Sequence, residues 1–181
     1  FSVTRRGGSI HQSSAGVGYS AQWMVGGGSH TRSFLHRADG RYFVLPLTWY
    51  AQRNGWDLSP GYEVSAHPGF HRQAGAECLA CHSDPPKRRM GSRNRFEEGE
   101  PTAIGCTRCH QQAIVHAKRQ MAGERMPIPF HEGMSPERAA DVCSYCHMQG
   151  VVRILMPGRQ WDDFEPGMDL ADVVAIFARK T

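Results

Sequence analysis

Apolar and polar residues alternate at the start of the chain around Phe1, Val3 and Arg5, break at Gly7-Gly8, and return as an apolar-rich run over residues 19–25. Alternation of period two between turn residues predicts antiparallel strands. The clearest hairpin joins residues 31–37 to 41–47 through Ala38-Asp39-Gly40, where glycine supplies the positive φ of a short loop. Pro46 places the end of its second strand at a sheet edge. From about residue 51 the alternation gives way to Asn54-Gly55, Ser59-Pro60-Gly61 and His67-Pro68-Gly69, which read as loops. One helix is expected over residues 104–121. Another starts at Ser135, with Ser as N-cap and Pro136 in the first helical position. Residues 173–177 are rich in β-branched side chains after a Pro166-Gly167 break and read as a strand. The pattern predicts an α+β fold with little regular structure: a small N-terminal antiparallel sheet followed by short helices.

The cysteines change this picture. All six lie in three copies of Cys-x-x-Cys-His: Cys78, Cys81 and His82; Cys106, Cys109 and His110; Cys143, Cys146 and His147. Cysteines three apart lie on one side of a single turn, so both thiols reach the vinyl groups of one porphyrin while the next residue offers its imidazole to the iron. A structural zinc site needs no histidine at that offset and takes such pairs two at a time. A redox dithiol accounts for one motif beside a βαβ pattern, and a disulfide framework gives no reason for the repeated histidine. The motifs therefore imply three covalently bound c-type haems. The 70 residues from Cys78 to His147 are too few for three separate domains, so the haems are expected close together. Residues 1–50 become a β-rich subdomain capping the haems, and residues 51–181 the haem-binding region of one compact domain, or a piece of a longer chain.

Composition agrees. The 181 residues include 20 Gly, 11 Pro and only 9% aromatics, a modest core that three macrocycles would fill out. The formal charge of +4 falls to nearly zero once three oxidised haems, each bringing about one negative charge, are counted. Lys87, Lys118 and Lys180 are the only lysines, so 18 of 21 cationic residues are arginine, the better bidentate partner for propionates. Lys87-Arg88-Arg89 with Arg93 and Arg95 reads as a solvated, propionate-facing or partner-docking loop rather than a nucleic-acid patch. No run has the apolar length of a membrane span. Thioether attachment requires an assembly system that in bacteria works outside the cytoplasmic membrane, so a periplasmic or extracellular protein is expected. The opening Phe1-Ser2-Val3, without Met or an apolar leader, is expected of a processed product or fragment.

Ten histidines less the three proximal ones leave His11, His30, His36, His67, His71, His116 and His131, a surplus that favours bis-His coordination. If His110 and His116 shared one helix they would be separated by about 9 Å of rise and about 240° of net rotation. His116 then serves a neighbouring haem rather than its own. His30 stands beside Gly26-Gly27-Gly28 at the hairpin entrance, with His36 six residues on. His67 and His71 precede the first motif, and His131 lies between the second and third. The expected distal ligands are His30, His67 and His116, with His36, His71 and His131 in reserve; the methionines are expected to pack in core or surface.

Several further stretches carry a resemblance: Gly26-Gly27-Gly28-Ser29-His30, Phe34-Leu35-His36, Leu45-Pro46-Leu47-Thr48-Trp49-Tyr50, Pro60-Gly61-Tyr62, His67-Pro68-Gly69-Phe70 and Ser135-Pro136-Glu137-Arg138. With the haem motifs they make the chain from about residue 20 onward resemble bacterial multihaem c-type cytochromes. It is most similar to those fused to or encoded with tetratricopeptide repeats, in the superfamily that includes multihaem nitrite reductases and hydroxylamine-pathway cytochromes. The resemblance implies that the family's Ser/Gly-x-His maps onto His30, its His-Pro-Gly onto His67, and its histidine six places beyond the middle proximal ligand onto His116. Gln111-Gln112-Ala113 departs from the family's Gly-Pro-Gly and suggests a continuous helix instead. Relatives commonly carry further haem motifs on either side.

The expected function is electron transfer to redox partner proteins, other cytochrome subunits or extracellular acceptors. The alternatives are a structural or wiring subunit of a cytochrome filament or membrane redox complex, as a homo- or hetero-oligomer, and a catalytic oxidoreductase acting on small nitrogen or sulfur compounds. Catalysis requires an iron with an open distal position. The histidine surplus argues against one, so no catalytic residue is assigned and no nucleic-acid partner is expected.

Overall fold

The alternating start of the chain folds back at Gly7-Gly8, whose φ angles of 54° and 84° suit glycine. Strand β1 (Ser2–Arg6) pairs with β2 (Ser9–Ser14), and β2 with β3 (Val17–Ser20), giving an antiparallel three-stranded sheet. The computed structural model describes residues 1–26, 28–84, 87–110, 113–125, 134–147, 150 and 152–178. By its internal contacts the chain divides into two units, residues 1–103 and 104–181.

In the first unit, β4 (Trp23–Val25), β5 (Thr31–Ala38), β6 (Arg41–Val44), β7 (Leu47–Tyr50), β8 (Gly55–Leu58) and β9 (Gln73–Ala74) form a second antiparallel sheet in the order β8-β7-β5-β6-β9, with β4 also on β5. The expected hairpin is present, and both Asp39 and Gly40 take positive φ, 50° and 71°, as a type I′ turn requires. Its second strand is shorter than expected. It ends at Val44, the buried Pro46 lies in the break, and a new strand begins at Leu47. Nor is β6 an edge, since β9 pairs with Tyr42 and Phe43.

A side chain completes the ladder between the two sheets. Gln12 of β2 is fully buried, its Nε2 donating to Leu47 O at 2.7 Å and its Oε1 accepting from Leu47 N at 2.8 Å. Among the described residues the core of this unit includes one apolar cluster of Leu35, Tyr42, Ala74, Leu79 and Phe96 and another of Phe34, Leu45 and Phe70. Helix α1 (Ala76–His82) lays Ala76, Leu79 and Ala80 onto this core.

Among the described residues the second unit buries fewer large apolar side chains than the first. A 3-10 turn at Cys106–Arg108 is followed by α2 (Ala113–Met121) and α3 (Pro136–His147). Strands β10 (Val152–Leu155) and β11 (Val174–Phe177) pair antiparallel, so the expected C-terminal strand is present. Ser135 caps α3 as expected, its Oγ accepting from Arg138 N at 3.4 Å. Arg138 pairs with Asp141 within α3 (2.6 Å) and ties the helix to the later loop by a salt bridge to Asp169 (2.8 Å). One face of the hairpin is left uncovered: Val152 and Ile154 lie opposite Phe177 and Ala175, and the first three are 46%, 53% and 55% exposed. Strands dominate and the three helices among the described residues are short, an α+β fold of little regular structure. No helix among them is long and apolar enough to cross a membrane.

Candidate haem attachment sites

The first and third motifs use the same helical arithmetic. From Cys78, the third and fourth residues onward return to its side of α1 after about 300° and about 400° of rotation, which puts Cys81 and His82 beside it. The opposite side holds Ala76, Leu79 and Ala80, all buried. In α3 the buried residues are Val142 and Tyr145, while Cys143 and His147 are exposed and Cys146 is half-buried. In α3 one face anchors the helix and the other presents thiol, thiol and imidazole, whereas in α1 Cys78 itself packs against the core cluster. None of the six cysteines forms a disulfide. Burial, reinforced by the Glu77 carboxylate, pushes the Cys78 thiol pKa up.

Tyr145, an intervening residue of the third motif, is the anchor that sequence reasoning missed. Its ring stacks on Phe164 at 4.9 Å, its hydroxyl donates to Trp161 O, and its carbonyl accepts from Arg153 Nη2 at 3.0 Å. The Arg153 guanidinium lies 5.1 Å from the Trp161 ring and 5.9 Å from that of Tyr145. An aromatic between two motif cysteines, with Arg and Trp downstream, was the available signal.

The second motif is built differently. Gly105 is extended, and Cys106–Arg108 makes one 3-10 turn closed by Cys109 N donating to Cys106 O at 3.2 Å, with His110 N donating to the same oxygen at 2.8 Å. The single helix expected over residues 104–121 is therefore not formed. Its first two residues are non-helical, His110 stands outside any helix, and residues 111–112 lie outside the described residues. The rise and rotation expected between His110 and His116 lose their premise.

The remaining histidines have distinct surroundings. His30 is exposed at the entrance of β5, where the Gln52 amide donates from Nε2 to its Nδ1 at 3.0 Å, which places the ring proton on Nε2. Gln52 is a second residue missed from sequence. His116 lies with Ala113 on the inward side of α2, and its Nδ1 is buried without a hydrogen-bond partner among the described residues. His67 is half-buried between the rings of Phe1 (5.2 Å) and Tyr62 (5.5 Å), with Nδ1 accepting from Gly69 N at 3.2 Å. Its loop is fastened by Tyr62, whose hydroxyl lies 2.9 Å from Val44 O and 2.8 Å from Gly69 O; burial pushes that phenol up to about 12. His71 is exposed at the end of a 3-10 turn, and His131 lies outside the described residues.

His36 is part of the core. It is 5% exposed, stacked between Tyr19 (4.0 Å) and Phe43 (5.1 Å), with Nε2 3.5 Å from Phe70 O. Desolvation holds its pKa below the ordinary 6.5, against the Phe70 carbonyl. In the unfolded chain His36 protonates before it does in the folded one. Its contribution is complete above pH 6.5 and is lost as pH falls below that value through the folded pKa. His36→Phe should flatten the fall in urea midpoint between neutral pH and about pH 5. An unchanged pH dependence would exclude this assignment.

These residues fit haem. A haem asks of the chain thiols and axial imidazoles, and α1 and α3 each carry both. The orphaned Nδ1 of His116 marks an imidazole without its partner, and Ile104, Ile114 and Val115 near the second motif are 51%, 58% and 48% exposed, apolar surface that a porphyrin would cover.

At the level of fold, the chain is similar to a cytochrome of known structure. The structure is that of the outer cell wall cytochrome OcwA, which matches with a TM-score of 0.50 and 20% sequence identity over 81% of this chain. The chain spans 31% of that protein's length. No family model matches the sequence, and neither does any curated protein.

Proposed function

We propose that the chain is a multihaem c-type cytochrome that carries electrons through three covalently bound haems to redox partner proteins or other cytochrome subunits outside the cytoplasm. The observation that carries this reading is the helical spacing shared by α1 and α3, which brings two thiols and an imidazole to one side of each helix. The haem supplies one-electron chemistry at iron. The chain fixes each macrocycle through two thioethers, at Cys78 and Cys81, Cys106 and Cys109, and Cys143 and Cys146. His82, His110 and His147 are the proximal ligands.

His30, His67 and His116 are the distal ligands in this reading. The Gln52 contact orients the His30 ring, and because the amide donates to Nδ1, ligation through Nε2 requires that contact to be given up. For His67, accepting from Gly69 N places the proton on Nε2, so ligation through Nε2 requires that contact to be given up. His71 and His131 stand next in order, and His36 is already used by the core.

Intact mass of the denatured holoprotein after acid-acetone extraction should exceed that of the polypeptide by three haems. Near-infrared and EPR spectra of the oxidised protein should show low-spin bis-His iron. A bare polypeptide mass would remove the haem reading, and rapid carbon monoxide uptake with turnover of nitrite or hydroxylamine would redirect it to catalysis.

A further inference from the structure

Residues 87–97 form a hairpin standing on the core of the first unit. Glu97 N donates to Lys87 O at 2.8 Å, Arg89 N to Arg95 O at 2.9 Å, and Ser92 N to Arg89 O at 3.0 Å, while Arg88 and Phe96 bridge antiparallel. The base is firm. Phe96 is fully buried and its N–H reaches Gly40 O at 2.9 Å. Arg37 clamps the returning strand, donating to Gly99 O (3.2 Å), Phe96 O (3.2 Å) and Glu97 O (2.8 Å). The tip turns at Gly91, φ 73°, and leaves Met90 wholly exposed.

Charge is sorted along this hairpin. Arg95, near the base, pairs with Asp39 at 2.7 Å, which Arg41 shares at 3.0 Å. Lys87, Arg89 and Arg93 are exposed and pair with no carboxylate among the described residues. The nearby acids, Glu97, Glu98 and Glu100, follow on the chain side away from the tip. Unneutralised cations therefore surround one exposed, adaptable thioether, eight residues after His82. A charged rim about a small apolar centre is the make-up of a transient redox encounter surface, where charge sets the association rate more than the affinity. The described hairpin carries no aromatic stacking platform at its tip, which disfavours single-stranded nucleic acid.

We infer that the 87–97 hairpin is the docking surface for an acidic redox protein that exchanges electrons with a haem at Cys78, Cys81 and His82. This rests on the first motif being a haem site, which the mass measurement tests separately.

The test uses reduced holoprotein in stopped flow with two oxidants: oxidised plastocyanin of acidic surface, and hexaammineruthenium(III), a small cation. For the wild type, the second-order rate with plastocyanin should fall about tenfold between about 0.01 and 0.3 M salt, as the screening length shrinks from about 30 Å to below 10 Å. Lys87→Glu/Arg89→Glu/Arg93→Glu should lose about tenfold at low salt and most of the salt dependence, while hexaammineruthenium(III) reacts as fast or faster. The glutamine triple variant should fall between. Equal plastocyanin rates in wild type and charge-reversed protein would overturn the inference. So would a loss of rate shared by both oxidants and tracking a shift in haem potential, since that would mean these cations serve the protein's own propionates.

Discussion

With all six motif cysteines replaced by alanine, the protein should keep the sheets of residues 1–103 and lose ordered structure in residues 104–181. The first unit buries two clusters of large side chains, among them Leu35, Tyr42, Phe96, Phe34 and Leu45, and closes its sheet ladder with Gln12. In the second unit the buried apolar side chains among the described residues are Ala113, Val142, Tyr145, Phe164, Leu170, Val173 and Val174. Its α2 is 9 residues long and α3 12, lengths at which a helix is marginal without tertiary cover. Ile114, Val115 and Met121 of α2 face water, as do Val152, Ile154 and Phe177 of the hairpin. A group that binds only the folded form adds its binding free energy to stability, so removing it takes that cover away. Hydrogen exchange read by mass spectrometry should show amides of β5 to β7 protected about a thousandfold more than those of α3, which corresponds to ~4 kcal/mol of local stability. Equal protection of both units would show that the second unit folds on polypeptide contacts alone.

The features legible in the sequence were those fixed by one or two adjacent residues. Asp39-Gly40 dictates its hairpin because only such residues accept two consecutive positive φ angles cheaply, and Ser135-Pro136 starts α3 because both positions suit the first turn. The haem motifs belong to the same kind, since their chemistry needs fixed spacing within a turn. Features that depend on distant partners were hidden. Residues 51 onward read as loops, yet β8 pairs with β7 across a 3-10 turn and an αL Asn54, a connection longer than the short hairpins that announce themselves. The helix expected over 104–121 rested on apolar periodicity and could not register that Gly105 stays extended. His36 and His30 looked alike as spare histidines beside strands. Tyr19 and Phe43 close over one, while Gln52 holds the other at the surface, and neither arrangement follows from spacing.

His116→Ala should convert one haem to high spin and open it to carbon monoxide, with the other haems unchanged. The side chain sits on the inward face of α2, half-buried, with a desolvated Nδ1 that no described residue satisfies. An unpaired buried nitrogen costs about 1–3 kcal/mol, so the chain retains it at a loss unless the imidazole is used. Axial ligation is such a use, because a bound imidazole orders the ring in one orientation and its remaining N–H can turn toward a new partner. Alanine leaves the sixth position to water, a weak-field ligand. The EPR spectrum of the oxidised variant should gain a high-spin signal worth one haem, and the reduced variant should bind one equivalent of carbon monoxide where the wild type binds none. Restoring low spin with added imidazole separates a lost ligand from a lost fold, since free imidazole refills a vacant axial site and cannot rebuild α2. A variant that stays low-spin without imidazole would assign His116 to packing and transfer the ligand role to His71 or His131.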